Sequence, residues 1–123
     1  MNTREIGRIC ERRVQDYLKN VGMEITAENY CCREGEIDIV ARDGEYIVFV
    51  EVKARKNKLF GEPCEAVTRS KQKKIRMAAE RYIAEKEYDG AVRFDVAEVI
   101  YSAEADAVHI KSINYIKAAF EVD

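Results

Sequence analysis

Apolar and polar residues alternate along this chain with a period that changes several times, and each change marks a predicted element. Ile6, Ile9, Cys10, Val14, Tyr17, Leu18 and Val21 recur at helical spacing, which predicts a helix capped by Thr3 and stopped at Gly22. Residues 24–32 predict a first strand. Residues 35–55 form two alternating arms around Asp43-Gly44, a strong hairpin signal. Residues 57–68 hold Gly61 and the sole proline, Pro63, and read as loop. A second helix is expected over Glu65–Lys86, with Ile75, Ala78, Ala79, Tyr82 and Ile83 inward and Lys73, Arg76 and Glu80 outward. A strand over 91–101, a turn over 102–107 and a short strand over 107–113 follow. Asn114 then caps an expected short helix, Tyr115–Glu121. Strands with apolar residues on both faces need cover on both sides, so the expected fold is α/β, a three-layer α/β/α sandwich around a central mixed sheet. No repeat or low-complexity tract divides the chain, and residues 1–123 read as one domain.

The hairpin carries more charge than its burial pattern allows for. With Asp43-Gly44 as a two-residue loop, Arg42 faces Glu45, Asp38 faces Phe49 and Glu36 faces Glu51. Alternation then points Glu36, Asp38, Glu51 and Lys53 to one side, and Ile37, Ile39, Val48, Val50 and Val52 to the other. Three carboxylates so gathered repel one another unless a cation sits among them. Glu11 lies on the margin of the first helix's apolar stripe, within reach of the edge of the core. Lys71 and Gln72 lie one turn before Ile75 on the inward side of the second helix.

Composition narrows the function classes. A chain of 123 residues with 47% hydrophobic and 36% charged residues suits a soluble domain. Its apolar runs fall short of the roughly 20 residues that span a bilayer, and the first residues lack the apolar core of a signal peptide. A cytoplasmic location is expected. Cys10, Cys31, Cys32 and Cys64 show no C-x-x-C spacing and only one histidine, His109, accompanies them, so zinc binding and a disulfide framework are set aside. His109 falls in an alternating strand and reads as structural. The net charge of −2 does not announce nucleic acid. Its distribution says more: cations crowd the segment from Lys53 to Arg76, directly after the acid cluster.

Asp38, then twelve residues, then Glu51-Val52-Lys53 suits phosphodiester hydrolysis. Carboxylates from neighbouring strands are the ligands expected for Mg²⁺ or Mn²⁺, hard cations that take oxygen donors. Such a metal lowers the pKa of a bound water and neutralises charge growing on phosphate. On this reading Asp38, Glu51 and Glu11 hold the metal, and Lys53 orients the attacking water or stabilises the developing charge. Arg55, Lys71, Gln72 and Lys74 contact nucleic acid.

Gly7-Arg8-Ile9-Cys10-Glu11, Asn29-Tyr30, Gly35-Glu36-Ile37-Asp38, Val48-Phe49-Val50-Glu51-Val52-Lys53, Phe60-Gly61, Lys71-Gln72 and Arg93-Phe94-Asp95-Val96 together resemble the YraN-like family. The resemblance implies a fold similar to restriction endonucleases and archaeal Holliday-junction resolvases, with the PD-(D/E)xK core of metal-dependent nucleases. Glu11, Asp38, Glu51 and Lys53 fall on that core's acidic and lysine positions. Cys10 and Val14 stand where the family usually has Gly and Ala, and Lys53 where members often carry Arg. The resemblance implies a DNA endonuclease, acting on branched or otherwise structured DNA and paired as a homodimer. Two other readings of the residues stay open: a non-catalytic nucleic-acid-binding module and a protein-interaction domain on the same fold.

Overall fold

The computed structural model describes residues 1–57 and 67–121. Loop residues Gly61 and Pro63, Cys64 and the expected start of the second helix at Glu65 lie outside the described residues. In chain order the elements are α1 (Thr3–Asn20), β1 (Glu24–Cys32), β2 (Gly35–Asp43), β3 (Tyr46–Arg55), α2 (Arg69–Glu85), β4 (Val92–Glu104) and β5 (Ala107–Ile116). The strands form one five-stranded mixed sheet in the order β1-β2-β3-β4-β5. β1, β2 and β3 run antiparallel as a meander, β3 and β4 are parallel, and β5 returns antiparallel. Parallel neighbours need a crossover, and the segment carrying α2 supplies it.

Strand alternation sorts the core into two halves. Ile6, Cys10, Val14 and Leu18 of α1 pack on Ile39, Ala41, Val48, Val50, Ala97 and Val99. Ile75, Ala78, Ala79 and Tyr82 of α2 pack on Ile37, Val40, Ile47, Phe49, Phe94 and Val96, on the opposite face. The helices therefore cover opposite faces of the sheet. Helix α1 is capped by Asn2, whose side chain accepts from the Glu5 N–H, and not by Thr3. Thr68 caps α2 by accepting from the Lys71 N–H, so that helix begins four residues later than its periodicity suggested. No helix among the described residues is long and apolar enough to cross a membrane.

The C-terminal segment departs most from expectation. β4 runs to Glu104, the turn shrinks to Ala105-Asp106, and β5 continues to Ile116, so no helix forms over Tyr115–Glu121. Asn114 pairs with Glu98 in the ladder instead of capping a helix. The reason is Asp95, a fully buried carboxylate on β4. The Tyr115 hydroxyl donates to it at 2.6 Å, the Ala118 N–H at 2.9 Å and the Arg93 guanidinium at 2.9 Å. Arg93 also pairs with Asp43 at 3.0 Å, beside the hairpin turn. Burial, then the Asp95 contact, pushes the Tyr115 phenol well up, so it stays a donor. A helix after Asn114 would abandon these bonds and leave a buried charge with fewer partners.

Asp95→Ala is expected to cost about 3–5 kcal/mol in urea denaturation, because it removes the fully buried carboxylate on which the half-buried Arg93, the Tyr115 hydroxyl and the Ala118 N–H converge. Tyr115→Phe removes one donor of several and should cost only ~1–2 kcal/mol.

Candidate metal centre and cleft

β2 and β3 pair from Asp43↔Tyr46 to Ile39↔Val50, with Gly44-Glu45 as the turn. Gly44 has φ +58, the left-handed conformation that such turns demand. The turn sits one residue later than expected, so each pairing slips by two. Arg42 faces Ile47 rather than Glu45, and Phe49 faces Val40 rather than Asp38. Continued one step, the observed register sets Asp38 beside Glu51.

The ladder between β2 and β3 ends at Ile39↔Val50, and the next free N–H on β3, that of Val52, donates to Asp38 Oδ2 at 2.8 Å. A side-chain carboxylate thus does what a strand carbonyl would have done. The irregularity is shared with β1, where Asn29 adopts φ +47 between the pairs Glu28↔Ile39 and Tyr30↔Ile37. Asn tolerates that conformation better than most residues. One consequence is that Ile37 joins the α2 side of the core, whereas Ile39, Val48, Val50 and Val52 lie on the α1 side as expected. Glu36, besides the cleft it shares with Asp38 and Glu51, lines a hollow with Gly7, Arg8 and Glu11 of α1.

Where the strands part, a cleft of about 270 Å³ is lined by Gly7 and Glu11 from α1, Glu36 and Asp38 from β2, Glu51 from β3 and Lys71 from α2. Three of the four residues expected to do chemistry therefore meet. The fourth, Lys53, stands at its edge, 4.0 Å from Glu51 Oε1. Asp38 is raised to about 8, by burial first and then by the Glu51 charge, against the Val52 hydrogen bond and Lys71. Glu11 is raised by burial, then by Glu36, Glu51 and Glu28, with Arg8 opposing. The cation among them is an ammonium: Lys71 Nζ lies 2.7 Å from Glu51 Oε1. Burial is the largest influence on Lys71 and works against its charge, but the bonds to Glu51 and Lys53 and the charges of Glu51 and Asp38 together outweigh it, and Lys71 is raised. Lys53 is lowered, by burial and then by Lys71 beside it. Among the described residues no three His, Cys, Asp or Glu side chains stand closely enough to hold a metal ion as they are.

The residues expected to touch nucleic acid divide. Lys74 is exposed on α2, its backbone and Cβ close over Gly35. Gln72 instead donates to the Val67 carbonyl at 2.9 Å, tying down the residues before α2. Arg55 forms a buried ion pair with Glu98. Glu98 and Glu36 went unassigned from the sequence. Glu98 pairs with Lys53 across β3 and β4 in the parallel register, a neighbour that sequence spacing cannot disclose. Glu36 was legible only as one more acid of the hairpin. Of the cysteines, Cys10 is buried, Cys31 exposed and Cys32 half-buried, all three as free thiols. His109 is exposed on β5, opposite Ser102.

The model of the uncharacterised protein family UPF0102 matches residues 10–99. A UPF0102 protein of Clostridium kluyveri is 41% identical over 120 residues, 97% of this chain and 96% of that protein. One from Caldicellulosiruptor saccharolyticus is 40% identical over 121 residues, 98% of this chain and all of that protein. One from Alkaliphilus metalliredigens is 43% identical over 121 residues, 96% of this chain and 99% of that protein.

In the folded, metal-free chain the Asp38 carboxyl keeps a proton that the unfolded chain releases near its ordinary value. Stability should therefore fall as pH rises from about 4 to about 8. Asp38→Asn retains an acceptor for the Val52 N–H and removes that dependence. Urea titrations in EDTA should show no gain near pH 4 and a gain of ~2–4 kcal/mol near pH 8. A loss of stability at pH 8 would contradict the electrostatic account of the cleft.

Proposed function

The chain belongs to the UPF0102 (YraN-like) family, and on that premise we propose that it is a metal-dependent endonuclease hydrolysing phosphodiester bonds in DNA, branched or otherwise structured DNA included, on a restriction-endonuclease-like fold. The observation that carries this reading is the meeting of Glu11, Asp38 and Glu51 in one cleft, with Lys53 and Lys71 at their side. Carboxylates brought together against their own repulsion, one of them deeply buried, are a costly arrangement that structure alone does not need.

The donor set fits a hard divalent cation. Glu11, Asp38 and Glu51 offer only oxygen, and the cleft is wide enough for the ion to keep several waters, as Mg²⁺ and Mn²⁺ do. These three stand too far apart to hold an ion as they are; drawn together on it they would hold the metal, which when bound would supply charge neutralisation at the phosphate and acidify a water. The chain's own groups do the rest. The Val52 N–H fixes one oxygen of Asp38 and leaves the other toward the cleft. Lys53, its ammonium weakened by burial and by Lys71, is suited to orient the attacking water and to exchange a proton with it. Lys71, held on Glu51 by an ion pair a metal would compete with, turns to the phosphate.

That same ion pair favours a second reading, a nucleic-acid-binding module without catalysis, in which Lys71 is the permanent counter-ion of Glu51. Labelled linear, nicked, flapped and four-way DNA incubated with Mn²⁺ separates the two. Cleavage is expected, reduced at least about hundredfold in Asp38→Asn and in Lys53→Met. Calorimetry should show Mn²⁺ binding lost in Asp38→Asn and kept in Lys53→Met. Salt-sensitive DNA binding without cleavage by the unaltered protein decides for the second reading.

A further inference from the structure

We infer that one face of α1, carrying Arg4, Arg8 and Arg12, is the track along which a nucleic-acid strand lies as it enters the cleft. Four-residue spacing stacks the three on a single stripe, one per turn. All three are exposed, and among the described residues none has a carboxylate within ion-pair distance. Of the carboxylates nearby, Glu11 and Glu36 line the hollows with these arginines without forming an ion pair to them, and two more are engaged elsewhere. Glu5 accepts from the Asn2 side chain at 3.1 Å, and Glu28 from the Gln15 side chain at 2.8 Å. On α2, by contrast, Lys71, Arg76 and Arg81 each face a carboxylate. Of the cations that the sequence favoured for nucleic acid, Arg55 and Lys71 are each held by a carboxylate, whereas α1 presents three in a row without such a partner.

The stripe is continuous with the cleft. Arg4 and Arg8 line a hollow of about 370 Å³ that they share with Gly7 and Glu11, and both of those residues also line the cleft with Asp38 and Glu51. Arg8 and Arg12 line the next hollow along, again with Glu11. An acid centre flanked by unpaired guanidiniums suits a ligand whose negative charges repeat along its length. Two helical turns cover about 11 Å, the run of about three nucleotides at 3.4 Å each along a duplex strand. Guanidinium forks bind phosphate through two parallel hydrogen bonds, which orients the strand as well as attracting it. Asp16, one turn beyond Arg12, ends the track with a charge that repels phosphate.

The inference deepens the proposed function and rests on it for the direction of the track, yet it fails separately. Anisotropy of fluorescein-labelled 20-mer single-stranded and duplex DNA, in EDTA over a salt series, measures it. Arg4→Gln/Arg8→Gln/Arg12→Gln should weaken binding at least tenfold at low salt. It should also flatten the log–log salt dependence by about 2–3 for duplex and about 2 for a single strand. Lys73→Gln/Lys86→Gln, at exposed positions on and just after α2, should leave that slope near the starting protein's. The three arginines are exposed, so the thermal melt of the triple variant should match, and a lowered melt is met by testing Arg8→Gln/Arg12→Gln alone. An unchanged slope in the arginine variants overturns the track while leaving Mn²⁺-dependent cleavage standing. Absence of DNA binding by the unaltered protein also overturns it, as does equal displacement of the DNA by polyglutamate and by unlabelled DNA, which would point to an acidic protein partner. A flattened slope without cleavage retains the track and removes the endonuclease reading.

Discussion

A single carboxylate, that of Asp38, holds β3 where β2 leaves it. The main-chain ladder between them stops at Ile39↔Val50, and from there the Val52 N–H is met by a side chain. Everything around the cleft follows from that substitution. The parting of the strands makes the space. The carboxylate that bridges the parting cannot retreat to solvent without leaving an N–H unpaired, so it stays half-buried beside Glu51 and shifts its protonation instead. Glu11 and Lys71 then reach the same space from opposite layers. The centre is unfavourable by construction, and the fold tolerates it because two apolar half-cores and the Asp95 network stabilise the rest of the sheet.

The elements were largely written in the hydrophobic pattern. α1, β1, the two hairpin arms, α2 and β4 all appear within a few residues of where periodicity put them, because each has a buried stripe or alternation strong enough to set its own conformation. The C-terminal segment was illegible for the opposite reason. Tyr115 and Ala118 are fixed by Asp95, some twenty residues away, and nothing in the local pattern of residues 114–121 reports such a partner. The direction of Ile37 was also hidden, since period-two reasoning presumes unbroken alternation and β2 breaks it between Ile37 and Ile39.

For the cleft, residue type was a better guide than geometry. Glu11, Asp38, Glu51 and Lys53 were identifiable as charges in places that favour burial, and three of the four share the cleft. What each cation does was not readable. Arg55 has Glu98 as a buried partner, Gln72 braces the residues before α2, and Lys71 stands on Glu51. Pairings of this kind depend on which strands become neighbours, above all the parallel contact between β3 and β4. Arg4, Arg8 and Arg12 were in plain view as one side of an amphipathic helix; their lack of partners became visible only with the whole molecule assembled.

The hairpin turn sits one residue later than its sequence suggested, and Asp38 and Glu51 share the cleft regardless. Moving a two-residue turn by one position shifts every cross-strand partner by two, and two is the period of the pleat. Which side each residue faces is thus indifferent to even displacements and inverted by odd ones. Across homologous chains the Asp43–Tyr46 corner can accordingly gain or lose residues in pairs, one per arm, without disturbing the chemistry at the other end of the arms. A lone insertion there would have to be absorbed by a bulge before it reached Ile39, or it would turn the acidic residues into the apolar core and the valines out to water.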